Sequence, residues 1–320
     1  MNIVLCFDDN YFEPTYLLVN SIIQNNKTPL NFFLVFESLS AEKYNRFIAL
    51  QNAFVSFKAI TIDKNLLSHC PIRDGDHVTL ATYYRLLLPK ILPQNIDKVL
   101  YLDCDMLCFD DITELYETDL TDYAIAASPD SQCLNEKRKV PLGLKNDTLY
   151  FGAGMLLINL SYWRENKIDE KSLEYIKNNG EKLLWHDQDT LNVILEGKVK
   201  YVNFKYNFYE TFFKIKEKST MTDILWNQVQ TAKSNICICH FTQAEKPWFF
   251  ECEHPLKNIY RSYYKSIFGK KLKLKFKYVG KPALSFIKRK ILSKIFNFPM
   301  NKSYELLDHS IKSEIINKLK

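Results

Sequence analysis

The sequence predicts an α/β protein built on a mixed, mostly parallel sheet flanked by helices. Three observations carry that expectation. Short apolar runs alternate with helix-patterned segments through the first 200 residues, which implies right-handed crossovers between parallel strands. Val99 to Leu102 is apolar at every position, as a strand covered on both faces would be. It stops at Asp103-Cys104-Asp105, and ligands of open α/β sheets bind outside the carboxyl ends of strands.

Residues 3–7 give a first strand that ends at Asp8-Asp9-Asn10-Tyr11. A helix is expected next, with Pro14 tolerated in its first turn and Leu17, Leu18, Ser21 and Ile22 on one face. Residues 32–36 read as a second strand, 41–51 as an amphipathic helix behind Ser40 as N-cap, and 57–62 as a third strand. A polar loop over 63–78 contains His69, Arg73, Asp74, Asp76 and His77. Residues 79–88 read as a helix that presents Arg85 and is closed by Pro89, and the strand to Asp103 follows. Residues 123–127 and 155–160 are further strands, separated by a poorly patterned loop over 131–149. The chain has eight glycines, so Gly152 and Gly154, two apart at the head of the second of these strands, imply a close backbone approach. Asp187-Gln188-Asp189 open a helix with acidic residues at its positive end, and 198–203 and 236–241 are the last strands.

Composition narrows the class. A chain of 320 residues at 47% hydrophobic and 25% charged is an ordinary globular composition with length for a sizeable core. Eight cysteines without a secretion signal point to a reducing cytosol, and the N-terminus reads as a strand rather than a targeting peptide. The net charge of +6 is unevenly spread. Between His254 and Tyr304 there are 14 Lys or Arg and no Asp or Glu, so the rest of the chain is net acidic. The expected division is a catalytic-type domain over 1–253 and a basic amphipathic region over 254–320.

Several constellations carry chemistry. On an extended backbone, residues i and i+2 leave on the same side, so Asp103 and Asp105 emerge together. Two adjacent carboxylates suit a hard divalent cation, or else form a polar loop. Asp8, Asn10 and Tyr11 are placed to bind a nucleotide base and ribose, or to cap the following helix. His240 follows Cys237-Ile238-Cys239, but no C-x-x-C knuckle accompanies it. The thiols therefore read as buried structural groups, which frees His240 to share a metal with a carboxylate pair. Lys246, six residues on, would neutralise a diphosphate beside that metal, or lie at the surface before Pro247. Arg85 reads equally as an ion-pair partner or a phosphate clamp. The segment 257–294 interleaves Lys and Arg with aromatic and aliphatic residues. Without a nucleic-acid motif, an anionic membrane surface is the expected partner and nucleic acid is not.

Six segments in this order resemble glycosyltransferase family 8, the retaining galactosyl- and glucosyltransferases of bacterial lipopolysaccharide and lipooligosaccharide synthesis. They are Asp8-Asp9-Asn10-Tyr11, residues 81–86, 99–105, 151–159, 187–192 and 240–248. The resemblance implies a GT-A-type, Rossmann-like fold, a UDP-hexose donor and Mn²⁺ or Mg²⁺ held by Asp103, Asp105 and His240. It places Asp8, Asn10, Tyr11, Arg85, Gly152, Ala153 and Lys246 at donor-binding positions. His77, Asp130, Asp187 and Gln188 fall around the transferred sugar and acceptor, with Asp130, Asp187 and Gln188 as catalytic candidates. The basic tail implies peripheral attachment to the inner face of the cytoplasmic membrane. Two departures stand out: Gly152 replaces a common Asn, and Gln243 replaces the Gly of a His-x-x-Gly-x-x-Lys pattern.

The expected reaction moves Gal or Glc from UDP-sugar to a glycan or glycolipid acceptor with retention. Gln188 is a poor nucleophile, so front-face attack is expected, with the leaving phosphate taking the acceptor proton. The rival readings are a self-glucosylating initiator, a UDP-sugar hydrolase and a non-catalytic sugar-nucleotide binder.

Overall fold

A computed structural model describes residues 1–72, 79–214, 221–278, 280–295, 304 and 308–319. Among these residues the strands are β1 (Asn2–Cys6), β2 (Leu30–Phe36), β3 (Val55–Thr61), β4 (Lys98–Leu102), β5 (Met106–Cys108), β6 (Ile125–Pro129), β7 (Phe151–Asn159), β8 (Val199–Tyr201), β9 (Phe208–Tyr209) and β10 (Ile238–His240). Seven form the main sheet in the order β3-β2-β1-β4-β7-β6-β8. Its pairings are parallel except at β7, which runs antiparallel to both β4 and β6.

The apolar continuity of the strands follows from burial on both faces. Val4, Val99, Tyr101 and Leu156 enter one core cluster, with the helices Leu160–Glu165, Ile168–Asn179 and His186–Ile194 on that side. Ile3, Leu5, Leu100, Leu102 and Leu157 enter the other, beneath the helices Phe12–Asn25 and Ala41–Ile48. Each such side chain contributes about 1.5–3 kcal/mol by burial, so no position on these strands can turn polar cheaply.

Strand order positions the site. The chain runs outward from β1 to β3, then returns to place β4 on the other side of β1. The β1/β4 boundary is therefore a topological switch point; Asp103 follows directly on β4, and Asp8 lies two residues past the end of β1. Because β7 is inverted, its first residues reach the same edge, where Asp103 N donates to Gly154 O at 2.8 Å. Asp130 follows β6 at that edge too, through the register Pro129↔Phe151.

A second, small sheet in the order β5-β10-β9 completes the arrangement. β5 begins immediately after Asp105 and pairs antiparallel with β10, so His240 lies opposite Met106. β9 pairs in parallel with β10, with His240 opposite Tyr209. These strands of two and three residues carry no alternation, and neither β5 nor β9 is expected from sequence.

Three local expectations need correction. The segment expected as an α-helix over 79–88 is a 3₁₀ helix, Leu80–Leu87, capped by Thr79. Pro89 does not close it but sits in the first turn of the next short helix, Leu88–Ile91, where a missing N–H costs nothing. The loop expected over 131–149 contains a helical turn, Glu136–Lys139, held by Asn135 as N-cap.

Beyond residue 253, the helix Lys257–Phe268 buries Ile259, Tyr260, Tyr263 and Tyr264 in a third core cluster. Tyr264 donates to Glu13 (2.9 Å) and Tyr263 to Gln24 (3.2 Å), both on the helix Phe12–Asn25. The aromatic residues of this first basic stretch therefore serve packing. Further on, Phe276, Leu284 and Ile291 are exposed. No helix among the described residues is long and apolar enough to cross a membrane.

Glu210, just after β9, is buried, and burial pushes its carboxyl up to about 7 against the pull of Lys214 and Lys246. A raised acid binds its proton more tightly in the fold than in the unfolded chain. Its contribution to stability is thus greatest below the ordinary carboxylate value and declines as pH rises through 7, by roughly 3 kcal/mol at most. The melting temperature of the wild type should fall more between pH 5 and pH 8 than that of Glu210→Gln. Equal slopes for the two proteins contradict this account.

Candidate active site

Asp103, Asp105 and His240 converge at the switch point, each offering one ligand atom, with those atoms within 4.8 Å of one another. Each carboxylate divides its oxygens. Asp103 Oδ1 accepts from Tyr101 Oη at 2.6 Å and from Arg85 Nη2 at 2.9 Å, while Oδ2 faces His240 Nε2 at 3.6 Å. Asp105 Oδ2 takes the Lys246 ammonium, while Oδ1 lies 3.0 Å from His240 Nε2. Burial alone would raise the Asp105 carboxyl, but Lys246 and His240 outweigh it and hold the group below the usual carboxylate range. Two carboxylate oxygens and one imidazole nitrogen, with no thiolate, suit a hard or borderline divalent ion of the Mg²⁺ or Mn²⁺ kind.

The cysteines stay out of this centre. Cys104 points the other way and donates to Cys6 O at 3.4 Å, and Cys237 and Cys239 are buried in the cores. Burial pushes the thiols of Cys104, Cys237 and Cys239 up, with a hydrogen bond from the Cys237 thiol to Cys108 leading at Cys237.

Gly154 explains its own identity. A Cβ there would lie 2.4 Å from His240 Cε1 and 3.0 Å from Asp103 Oδ2, so only glycine lets β7 pass this close to the ligands. The paired glycines of the sequence did signal a close approach, and the approaching group is the imidazole.

Behind the triad lies Arg85, 4% exposed. Its Nε sits 2.9 Å from Asp187 Oδ2, its Nη2 reaches Asp103, and its Nη1 donates to Ala153 O. The guanidinium also stacks on the Tyr101 ring, 4.3 Å from its centroid. Of its two sequence readings, ion-pair partner and phosphate clamp, the structure displays the first. Asp187 Oδ1 accepts from Thr82 at 2.8 Å, and burial raises its carboxyl although Arg85 pulls it back.

Gln188 is aimed by two contacts. Its Oε1 accepts from Ala153 N at 2.8 Å, and its Nε2 donates to Asp130 Oδ2 at 3.4 Å. The Asp130 carboxyl is raised by burial and is fixed by Gln132 N and Tyr209. His186, just before this pair, holds a left-handed φ of 50°, a conformation that costs a non-glycine residue about 1–3 kcal/mol. From this start Asp187 reaches Thr82 and Arg85, and Gln188 reaches Ala153 and Asp130.

The remaining candidates lie around this cluster. Asp8 Oδ1 caps its own turn, accepting from Asn10 N at 2.9 Å and Tyr11 N at 3.3 Å. Asn10 is exposed, and Tyr11 packs edge-on against Trp248 at 5.7 Å. Lys246 is not at the surface: it is buried and also donates to Phe241 O and Thr242 O. His77 lies outside the described residues. Gly152 has Tyr209 Oη and Asn207 Nδ2 at 3.1 and 3.2 Å from where its Cβ would stand. Asn207 and Tyr209 are the site residues that sequence reasoning missed. Both come from β9 or the residue before it, where no motif marks them.

The profile of glycosyl transferase family 8 matches residues 2–252. The chain belongs to that family. A putative glycosyltransferase of Haemophilus influenzae is 34% identical over 260 residues, covering 79% of this chain and 74% of that protein. The lipopolysaccharide 1,2-glucosyltransferase of Escherichia coli K12 is 26% identical over 268 residues, covering 82% and 76%. The solved structure of galactosyltransferase LgtC, in complex with donor and acceptor sugar analogs, aligns with a TM-score of 0.75 at 27% identity. That alignment covers 89% of this chain and all of the other. The matched span of this glycosyltransferase contains every described site residue named above, and its GT-A-type fold is the one the sequence predicts.

Substituting Gly154 by Ala should displace His240 and cost the site its cation. In thermal melts the wild type should gain melting temperature on adding Mn²⁺ or Mg²⁺, and Gly154→Ala should gain none. An equal gain in both proteins contradicts this reading of the triad.

Proposed function

We propose that this family 8 enzyme transfers Glc or Gal from a UDP-sugar to a lipopolysaccharide- or lipooligosaccharide-type glycan, with retention and with Mn²⁺ as its cation. The observation that carries the reading is the Asp103–Asp105–His240 triad at the switch point, with Asp187 and Gln188 held across from it by Arg85 and Ala153. An imidazole in an otherwise oxygen donor set favours Mn²⁺ over Mg²⁺. When bound, the ion supplies Lewis acidity at a departing diphosphate.

The chain's own residues would do the rest. Lys246 already lies on a metal ligand, and a bound diphosphate gives its ammonium a second anion to neutralise. Asp8, Asn10 and Tyr11, beside the carboxyl end of β1, would take the base and ribose. Gln188 presents an amide, not a carboxylate; Asp187 Oδ1 accepts from Thr82, and Oδ2 is paired by charge with Arg85 Nε at 2.9 Å without a hydrogen bond. That leaves no free carboxylate among Asp187 and Gln188 to form a covalent glycosyl intermediate, which favours front-face attack with the leaving phosphate accepting the acceptor's proton. Half-buried Asp130, on the Gln188 amide, would help fix that amide against the sugar.

The glucosyl and galactosyl relatives support the hexose class but divide on which hexose. The tail supports attachment to the inner face of the cytoplasmic membrane. Its exposed Phe276, Leu284 and Ile291 lie among lysines that would each contribute about 1 kcal/mol near an anionic surface. The basic region 254–320 then extends the catalytic region 1–253, packed on it through the helix Lys257–Phe268 and turned to the membrane by the exposed residues that follow.

UDP release from UDP-Glc or UDP-Gal should require Mn²⁺, increase with a lipooligosaccharide acceptor, and fall by a factor of about 10²–10³ in Asp103→Asn. Metal-independent release overturns the mechanism, and acceptor-independent release identifies a hydrolase instead. Replacing exposed Lys271, Lys273 and Lys288 with Glu should abolish sedimentation with phosphatidylglycerol vesicles while leaving release from soluble donor unchanged. Undiminished sedimentation contradicts the membrane role.

A further inference from the structure

Asn207 lies between the 3₁₀ turn Phe204–Tyr206 and β9, and it is 1% exposed. Its Oδ1 is 2.9 Å from His240 Nδ1. The other ring nitrogen, Nε2, is the one directed at Asp105 Oδ1 and Asp103 Oδ2. A neutral imidazole that gives the Nε2 lone pair to a cation must carry its proton on Nδ1. The partner of Nδ1 therefore has to be an acceptor. An amide turned the other way would donate to Nδ1, move the ring proton to Nε2 and block coordination.

The rest of the amide agrees with this demand. Asn207 Nδ2 is buried and has no hydrogen-bond partner among the described residues. A buried donor left unpaired is unfavourable, so some other requirement fixes the amide's orientation, and the imidazole is the group that supplies it. Space is reserved for the amide as well. A side chain at position 152 would begin 3.2 Å from Asn207 Nδ2 and 3.1 Å from Tyr209 Oη, so glycine at 152 leaves both residues where they stand. Gly152 and Asn207 are thus two sides of one contact.

We propose that Asn207 is a positioning residue for the catalytic metal: it accepts the Nδ1 proton of His240 and so presents Nε2 as a ligand, in room that Gly152 keeps open. The inference rests on the metal reading of the triad given above. The Asn207 Oδ1 contact is made through Nδ1 and leaves the Nε2 lone pair for a cation.

The test is a titration of full-length protein with Mn²⁺ alone, followed by electron paramagnetic resonance without sugar nucleotide. Asn207→Ala should weaken Mn²⁺ binding about 10- to 100-fold, as loss of an outer-shell partner does. Asn207→Asp, whose carboxylate still accepts from Nδ1, should stay within about threefold of wild type. Unchanged affinity in Asn207→Ala overturns the proposal. If Asn207→Ala lacks a cooperative melt, the aspartate variant decides: near-native affinity supports the proposal, and a folded Asn207→Asp that fails to bind Mn²⁺ overturns it. A wild type that binds no Mn²⁺ overturns the metal reading itself, which separates that failure from one confined to Asn207.

Discussion

The site depends on one buried guanidinium. Arg85 bridges Asp103, at the end of β4, to Asp187, at the start of the helix His186–Ile194. These elements are more than 80 residues apart in sequence. Without the guanidinium between them, the buried Asp187 carboxylate would face part-exposed Asp103 with no counter-charge, and removing one partner of a buried ion pair typically costs about 3–5 kcal/mol. Arg85 also saturates Asp103 Oδ1 together with Tyr101, which leaves Oδ2 as the oxygen that turns inward. It is a scaffold for Asp103, a candidate metal ligand, and for the Asp187–Gln188 pair at once.

The same logic repeats at Asp105. Lys246 takes one oxygen and His240 faces the other, so each aspartate is half committed to the protein and half available. Position on the fold makes this economical. Parallel β1 and β4 and inverted β7 deliver Asp8, Asp103 and Gly154 to one edge of the main sheet, and the small sheet swings His240 in from the side. The packed strands fix the backbone, and the ion pairs fix only the side-chain rotamers.

Much of this was legible in the sequence. The succession of the main strands along the chain, the acidic end of β4 and the triad with His240 follow from apolar runs, residue spacing and the family's six segments, whereas the order of the strands within the sheet does not. Gly154 could be read as a close approach because glycine is scarce in this chain. The rest is set by contacts that leave no local trace. β9 has two residues and β5 has three, too few for a period, so Tyr209 and Asn207 could not be placed. Whether Arg85 and Lys246 face solvent or carboxylates depends on burial that only the assembled core decides. The aromatic residues of Lys257–Phe268 looked like part of a surface appendage because their lysines dominate the pattern, yet Tyr260, Tyr263 and Tyr264 pack inside.

The most direct measurement is anomalous diffraction at the manganese edge from crystals grown with Mn²⁺ and UDP. The account predicts one strong peak within coordination distance of Asp103 Oδ2, Asp105 Oδ1 and His240 Nε2, with UDP phosphate oxygens completing the sphere. A peak at another site, or UDP bound in this cleft with no peak beside the triad, contradicts it.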